Sequence, residues 1–172
     1  MSVVRRVRAD EWAALRDLRL RALADAPLAF STTTDEARQR DDAWWREAAR
    51  RGAEDEDWAT FVATEGERLV GMATGHYPTE QHHPIDDPAL PSLMQMWVSP
   101  DLRRRGLGRR LVDAVGSWAE TRGAAVLRLG VTASEKGSVA FYESLGFRDT
   151  GRRDTTVPRL GPVVEMERAC RT

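Results

Sequence analysis

The stretch MWVSPDLRRRGLGRRL, residues 96–111, places five arginines around two glycines. The apolar residues before the glycines indicate a strand, and the residues after them have helical spacing. A helix N-terminus exposes unpaired backbone N–H groups and the positive end of the helix dipole, so it attracts anions. Gly106 and Gly108 would let a phosphate reach the backbone itself. The stretch therefore predicts an anion site, although a plain turn with solvated arginines gives the same pattern.

Two common phosphate motifs do not fit this stretch. A P-loop needs a lysine directly after its last glycine, and the only lysine, Lys136, lies far along the chain. A dinucleotide fingerprint needs a glycine three residues after Gly108, where Leu111 stands. What the stretch contains is R-x-x-G-x-G, from Arg103 to Gly108, preceded by Val98 and Pro100.

Tyr142 is a candidate for proton transfer, because an unperturbed phenol titrates near pH 10 and is a neutral donor at pH 7. Taken alone, its position between Phe141 and Phe147 is more typical of an aromatic side chain that packs on a sheet. The segment from residue 78 to 91 holds further ionisable groups and four of the chain's prolines, which indicates a loop.

The composition bounds the class of protein. A chain of 172 residues with 41% hydrophobic and 31% charged residues suits a single domain, residues 1–172. The net charge of -1 argues against general nucleic-acid binding. One cysteine excludes an internal disulfide, and no apolar run has the length of a membrane span or the form of a signal peptide. We therefore expect a cytoplasmic protein with neither a nucleic-acid nor a membrane partner.

Alternating elements must position these residues. A strand is predicted at 2–8, a helix over DEWAALRDLRLRALADAP and a second helix at 35–51, with Thr33 or Thr34 as its cap. A hairpin over 60–77 turns at Glu65–Glu67, and a strand at 93–99 leads into the glycines. After them come, in order, a helix at 107–122, the strand AAVLRLGV, a helix at 138–145, and strands at 147–154 and 163–168.

Together these features resemble the GNAT superfamily of N-acetyltransferases. The R-x-x-G-x-G motif resembles the family's acetyl-coenzyme A motif, and SVAFYESLGF resembles its final helix, which ends in Tyr-x-x-x-Gly-Phe. The resemblance runs from about residue 60 to the end of the chain. It implies a mixed α/β fold of the acyl-CoA N-acyltransferase type. Such a fold has a twisted, mostly antiparallel sheet of six or seven strands and about four helices, and its fourth and fifth strands run parallel.

The resemblance also implies site residues and a co-substrate, acetyl-CoA, with no metal. In the family, the glycine loop takes the pyrophosphate, the central strand pairs with the pantetheine arm through its backbone, and the tyrosine is the general acid. Carried over residue by residue, the coenzyme-binding positions are Trp97, Val98, Arg103, Arg104, Arg105, Gly106, Leu107, Gly108 and Arg109, and the catalytic position is Tyr142.

Two departures from the family pattern stand out. Glu135 occupies the usual asparagine position, where a carboxylate cannot donate the amide hydrogen bond. The fourth strand offers only Gln95 where many relatives have a carboxylate base. The base is therefore absent or remote, and the nearby candidates are His76, Glu80, His82, His83, Asp86 and Asp87. A metal held by the two adjacent histidines and Asp86 is a weaker reading, because the loop has no cysteine.

The predicted activity is acetyl transfer to an amine by direct attack in a ternary complex. Small-molecule amines, protein N-termini and lysines all remain open as acceptors, as does a monomer or a homodimer. The acidic run EDED at 54–57 and the pair DD at 86–87 would favour a cationic amine, and Phe30, Trp44, Trp45 and Tyr77 could line a groove. For each of these features taken singly, solvated charge or ordinary core packing is the better interpretation. The alternative is a catalytically silent acyl-CoA sensor or interaction module, because the base is missing and Glu135 replaces asparagine.

Overall fold

The computed structural model describes residues 2–78, 87 and 89–170. These residues form one seven-stranded sheet and five helices. In chain order the elements are β1 Ser2–Arg6, α1 Trp12–Asp25, α2 Thr34–Gln39, α3 Asp42–Glu54, β2 Trp58–Glu65, β3 Arg68–His76, β4 Ser92–Val98, α4 Leu107–Thr121, β5 Val126–Thr132, α5 Lys136–Ser144, β6 Arg148–Asp154 and β7 Val163–Ala169.

The sheet has the predicted mixed topology. Its strand order is β1-β2-β3-β4-β5-β7-β6, and every neighbouring pair is antiparallel except β4 and β5. Helix α4 connects these two parallel strands, as the sequence predicts, because a parallel pair needs a long crossover.

Helices cover both faces of the sheet. On one face, Leu111 and Val115 of α4 pack with Ala73 and Leu127 in a core that also includes Tyr142. On the other face, the buried side chains of α1 and α3 include Leu18, Leu23 and Trp45, and they pack against Val62 and Met72. Adjacent residues of a strand thus enter opposite cores, because successive side chains alternate across a sheet.

The helix predicted at 35–51 is two helices, so the described residues contain five rather than about four. Arg40 after α2 is extended, with a φ of -73° and a ψ of 132°. Asp41 then caps α3, accepting a hydrogen bond of 2.8 Å from the Trp44 amide. Thr33 caps α2 in a reciprocal pair with Glu36. The sequence pattern alone predicts one continuous helix here, whereas Asp41 forms a new N-cap that begins α3.

Strands β4 and β5 separate soon after they meet. Only Ser92 with Arg128 and Leu93 with Leu129 are paired between them. Two residues further along β4, Gln95 has a φ of 55°, and the pairing of β3 with β4 shifts register between Met72 and Thr74. A bulge bends a strand and changes its twist, so β4 turns away from β5 here. The result is a cleft inside the sheet that no described strand fills.

The contact between β3 and α4 leads to a stability prediction. A Cβ on Gly75 would lie 2.6 Å from Trp118 Cζ3 and 2.9 Å from Val115 Cγ1. We expect Gly75→Ala to lower the free energy of unfolding by about 1–3 kcal/mol through overpacking. The matched control is Gly137→Ala in α5, where a Cβ meets nothing within 4 Å, and it should be neutral or slightly stabilising. Urea unfolding of both variants measures the difference, and equal stabilities would contradict this packing.

Candidate active site

The glycine loop begins α4 without a side-chain cap. Gly106 is the N-cap residue, its φ is 79°, and no side chain of a described residue bonds to this helix end. Arg104 also has a left-handed backbone, with a φ of 61°. Glycine adopts this left-handed conformation at little cost, whereas an alanine at position 106 would be strained. The loop therefore leaves the first amides of the helix without a cap, and this suits the binding of a pyrophosphate.

The arginines of the loop divide into two groups. The side chains of Arg104, Arg105 and Arg109 are exposed. Arg103 is also exposed, but it donates from Nε to the Val98 carbonyl at 3.0 Å and forms an ion pair with Asp25 at the end of α1. Arg103 therefore fastens the loop to α1, and the other three arginines provide positive charge around the uncapped amides.

Trp97 contributes to the same anchor. Its indole Nε1 donates to Asp25 Oδ2 at 2.8 Å, and its side chain is buried. Although burial raises the pKa of Asp25, the hydrogen bonds from Trp97 and Arg103 outweigh it and hold the pKa below its usual value. Asp25 thus stays ionised and joins the end of β4 to the end of α1.

The packing around position 108 also requires a glycine, which the sequence did not indicate. A Cβ at this position would lie 3.0 Å from Phe141 Cζ and 3.1 Å from Met96 Cε. The first turn of α4 therefore sits directly on α5 and β4. A larger residue here would disturb this packing as well as any bound phosphate, so Gly106 is the cleaner position for testing the loop.

Tyr142 both packs in the core and faces the cleft. Its ring lies 5.2 Å from Phe141 and 5.7 Å from Phe147 between centroids, and the residue is 8% exposed. It also borders a cavity of about 60 Å³ that Gln95 and Glu135 help to line. Burial raises the pKa of the Tyr142 phenol, so the side chain keeps its proton at neutral pH.

Gln95 lies where three cavities meet. It borders the cavity with Tyr142 and two larger ones of about 200 Å³ and 270 Å³. A chain of hydrogen bonds holds its side chain: Thr60 and Thr74 are 3.0 Å apart through their hydroxyls, and Thr74 Oγ1 donates to Gln95 Oε1 at 3.2 Å. The unusual backbone of β4 therefore presents a fixed amide to the centre of the cleft.

The segment between α1 and α2 closes one side of the cleft. Thr132 at the end of β5 donates to the Leu28 carbonyl at 2.7 Å. Arg159, in the turn before β7, donates to the carbonyls of Phe30 and Ser31, both at 2.7 Å. Phe30 and Ser31 line the cavity of about 200 Å³. Residues distant in sequence thus build this wall, which the sequence did not predict.

Of the six candidate bases, His76 and Asp87 lie within the described residues. His76 lines the cavity of about 200 Å³ and stacks on Trp58 with 5.2 Å between ring centroids. Asp87 lies 3.8 Å from Arg128 and accepts a hydrogen bond from the Ala89 amide. The other candidates, Glu80, His82, His83 and Asp86, lie outside the described residues, as does the suggested metal cluster. Among the described residues, no three potential metal ligands lie close enough together to hold an ion. None of the described helices combines the length and the apolar character of a membrane span.

The sequence did not indicate three buried charged residues that line the cleft, Arg19, Asp154 and Glu165, of which Asp154 is 5% exposed. Glu165 of β7 is 1% exposed and lines the cavity of about 200 Å³, as does Arg19 of α1, which is 7% exposed. Arg19 lies four residues after Leu15 and four before Leu23, so its helical spacing with buried leucines was a usable signal. Glu165 faces Gly130 of β5, a contact that only the sheet register reveals.

The acidic run at 54–57 is paired with arginines at the surface, which agrees with its interpretation as solvated charge. Asp55 accepts from Arg50 at 2.9 Å, and Asp57 accepts from Arg122 at 2.5 Å. These carboxylates are neutralised at the surface. Of the four suggested groove residues, Phe30, Trp44 and Trp45 line the two larger cavities, whereas Tyr77 lines a separate one with Asp57 and Arg122.

Known proteins resemble this chain in sequence and in fold. It is 32% identical over 114 residues to the [Ribosomal protein bS18]-alanine N-acetyltransferase of Salmonella typhimurium, with 66% of this chain and 71% of the relative covered. An acetyltransferase of the GNAT family from Streptococcus pneumoniae has a TM-score of 0.80 at 16% identity, with coverage of 99% and 100%. The yncA acetyltransferase of Salmonella typhimurium, solved with its cofactor acetyl-CoA, has a TM-score of 0.70 at 19% identity, with coverage of 100% and 95%.

The model of the acetyltransferase (GNAT) family matches residues 12–147, which is most of the chain. The match includes the glycine loop, both strands of the cleft and Tyr142. The predicted family, fold and enzyme class are therefore confirmed: the chain belongs to the acetyltransferase (GNAT) family and is an N-acetyltransferase that uses acetyl-CoA.

Proposed function

We propose that the protein transfers the acetyl group of acetyl-CoA to a primary amine by direct attack in a ternary complex. The early separation of β4 from β5 carries this proposal, because it opens a cleft that runs through the sheet beside Gln95 and Tyr142. The glycine loop lies at one end of β4 and the two larger cavities border Gln95. One cleft can thus bring donor and acceptor together, which lowers the entropic cost of the reaction.

The coenzyme end of the cleft is assigned to the loop and to β4. The uncapped amides at Gly106, Leu107, Gly108 and Arg109 bind the pyrophosphate, and Arg104 and Arg105 add charge around it. Acetyl-CoA supplies a thioester whose carbonyl an amine can attack. After Leu93, β4 has no pairing with β5, so the backbone near Trp97 and Val98 is the edge along which the pantetheine arm lies. A backbone N–H of β4 stabilises the charge that develops on the carbonyl oxygen.

Tyr142 donates the proton that the departing thiolate needs. Its burial keeps the phenol neutral, and its place in the small cavity beside Gln95 puts the donor inside the cleft. The attacking amine must also lose a proton. His76 and Glu165 line the cavity of about 200 Å³ and can accept that proton through water.

The acceptor is a small-molecule amine or the N-terminus or a lysine of a protein. Relatives of this chain are named as enzymes that acetylate an alanine of ribosomal protein bS18, and this similarity makes a protein N-terminus one of the candidates. The silent-sensor alternative predicts coenzyme binding without turnover. Release of free coenzyme thiol in the presence of amines separates the two functions.

Replacement of Tyr142 tests its assignment as general acid. Tyr142→Phe keeps the ring and its packing but removes the phenolic proton, so kcat should fall on the order of 10²-fold while thermal stability and acetyl-CoA affinity change little. The control is Tyr77→Phe, at the chain's other tyrosine, which lines a separate cavity and should keep full turnover. Full activity of a folded Tyr142→Phe variant would make this tyrosine purely structural.

The raised pKa of Tyr142 predicts the pH dependence. A group whose pKa is raised keeps its proton to higher pH, so the general acid should remain competent where an ordinary tyrosine, with a pKa of about 10, begins to ionise. We expect kcat to show no decline between about pH 8 and about pH 10. A basic limb in that range that disappears in Tyr142→Phe would still identify Tyr142 as the acid, but it would contradict the raised pKa.

The loop is tested by two glycines that share a left-handed backbone. Gly106 has a φ of 79° and Gly151 in β6 has a φ of 85°, and a Cβ at either position meets nothing within 4 Å. Gly106→Ala and Gly151→Ala should each cost about 1 kcal/mol of stability. Only Gly106→Ala should weaken acetyl-CoA binding, measured by calorimetry, because it alone distorts the uncapped amides. Equal coenzyme affinities in the two variants would remove the loop from the binding site.

A further inference from the structure

Arg19 is a buried cation without a partner. It is 7% exposed, and its Nη1 has no hydrogen-bond partner among the described residues. Its described contact is with the ring of Phe30, 4.4 Å from the guanidinium carbon. Burial, together with the like charge of Arg40, lowers the pKa of Arg19 to about 10, so it remains charged at neutral pH. A buried, unpaired charge is costly, and a bound anion would remove that cost.

Arg40 adds a second positive charge to the same site. It follows α2, lies 3.9 Å from the ring centroid of Trp44, and lines the cavity of about 270 Å³ with Arg19. No carboxylate within the described ranges forms an ion pair with either arginine, although Glu36 exerts a favourable charge effect on Arg40. Two guanidinium groups thus face one cavity.

Four other charged side chains around these cavities, Glu47, Arg51, Arg128 and Glu165, form ion pairs. At the cavity of about 270 Å³, Glu47 pairs with Arg50 at 2.7 Å, and Arg51 pairs with Asp55 at 3.4 Å. At the cavity of about 200 Å³, Glu165 lies 3.5 Å from Arg152 and 3.8 Å from Arg128. Asp154, which is 5% exposed, adds a further carboxylate to the cavity of about 200 Å³. The excess positive charge therefore lies in the cavity of about 270 Å³, and it comes from Arg19 and Arg40.

The position of Arg19 connects this charge to the reaction. Arg19 lines both larger cavities, and Gln95 borders these two and also the small cavity that contains Tyr142. An anionic group at Arg19 would thus belong to a molecule that extends toward Gln95. At about 200 Å³ and 270 Å³, both cavities fall below the roughly 300 Å³ at which sites for drug-sized ligands begin. Each cavity therefore has room for a small molecule such as an amino acid.

We propose that Arg19, assisted by Arg40, binds a carboxylate of the acceptor, and that the acceptor is a small amine of amino-acid size that carries this carboxylate. The proposal rests on the proposed amine acetyltransferase function and narrows its acceptor. The free α-amino group of such a molecule is the nucleophile. In a protein, the α-carboxyl group of the N-terminal residue is part of a peptide bond and carries no charge. The site therefore favours free amino acids over protein N-termini.

The test compares matched acceptors. The panel consists of the twenty L-amino acids, their carboxamides, simple alkylamines, and a peptide that begins with alanine. With wild-type protein, the best free amino acid should exceed its own carboxamide on the order of 10- to 100-fold in kcat/KM, because a charged hydrogen bond is lost in the amide. The peptide should be a poorer acceptor than the best amino acid.

Two variants locate the effect. Arg19→Leu should abolish the preference for the carboxylate by lowering kcat/KM for the amino acid on the order of 10- to 100-fold, while kcat/KM for the carboxamide changes little. Its melting temperature should not fall, because it removes an unpaired buried charge. Arg40→Gln should reduce the same preference less strongly. The control is Arg16→Leu in the same helix, whose exposed side chain pairs with Asp42 at 3.0 Å and should leave the preference intact.

Each outcome decides one of the two proposals. If the carboxamides, the alkylamines or the peptide are acetylated as efficiently as every free amino acid, the Arg19 assignment is wrong. The proposed amine acetylation would still stand. No turnover with any amine, despite acetyl-CoA binding, would overturn the proposed function. In that case, thermal melting with coenzyme A and the free amino acids decides Arg19. The assignment is supported if a free amino acid raises the melting temperature of the wild-type protein, while its carboxamide does not and Arg19→Leu shows no rise. The assignment is overturned if no free amino acid raises the melting temperature.

Discussion

The separation of β4 from β5 is the constraint on which the rest of the structure depends. A parallel pair needs a crossover, and α4 supplies it, so the helix N-terminus lies at the same end as the opening. The bulge at Gln95 then widens the gap, at the cost of a left-handed backbone on a residue with a side chain. Such strain in the middle of a sheet is typical of a functional site, because packing alone would favour a regular strand.

Buried polar groups then give the cleft its chemistry. Tyr142 is inside the core among aromatic rings, and the same burial that stabilises its packing keeps its phenol protonated. Structural and catalytic interpretations of this residue are therefore compatible. The Thr60, Thr74 and Gln95 chain shows the same principle, because buried hydroxyls that bond each other also fix the amide at the cleft centre.

Arginine has different roles in different environments. At the surface, arginines neutralise acidic runs, as Arg50 and Arg122 do, and such exposed pairs contribute little to stability. Arg103 and Arg159 instead bond backbone carbonyls and hold loops against the sheet. Arg19 is the contrasting case, since it is buried without a described anionic partner. The same side chain is therefore a surface charge, a clamp or a candidate ligand-binding group according to what surrounds it.

The sequence by itself determined the order of most strands and helices and the glycine loop, because local spacing and short motifs encode these features. The parallel pair and the candidate role of Tyr142 were implied by the resemblance to the family. The sequence did not reveal the break at Arg40, where capping by Asp41 outweighed a continuous helical pattern. Only the tertiary structure decided what surrounds Gln95, because α1, β5, β7 and the turn at 158–160 converge there from distant parts of the chain. The tertiary structure also showed that carboxylates of the acidic run at 54–57 are paired with arginines. Charge runs in a sequence do not show which carboxylates are already paired, whereas burial and partner distances do, and these exist only in the folded chain.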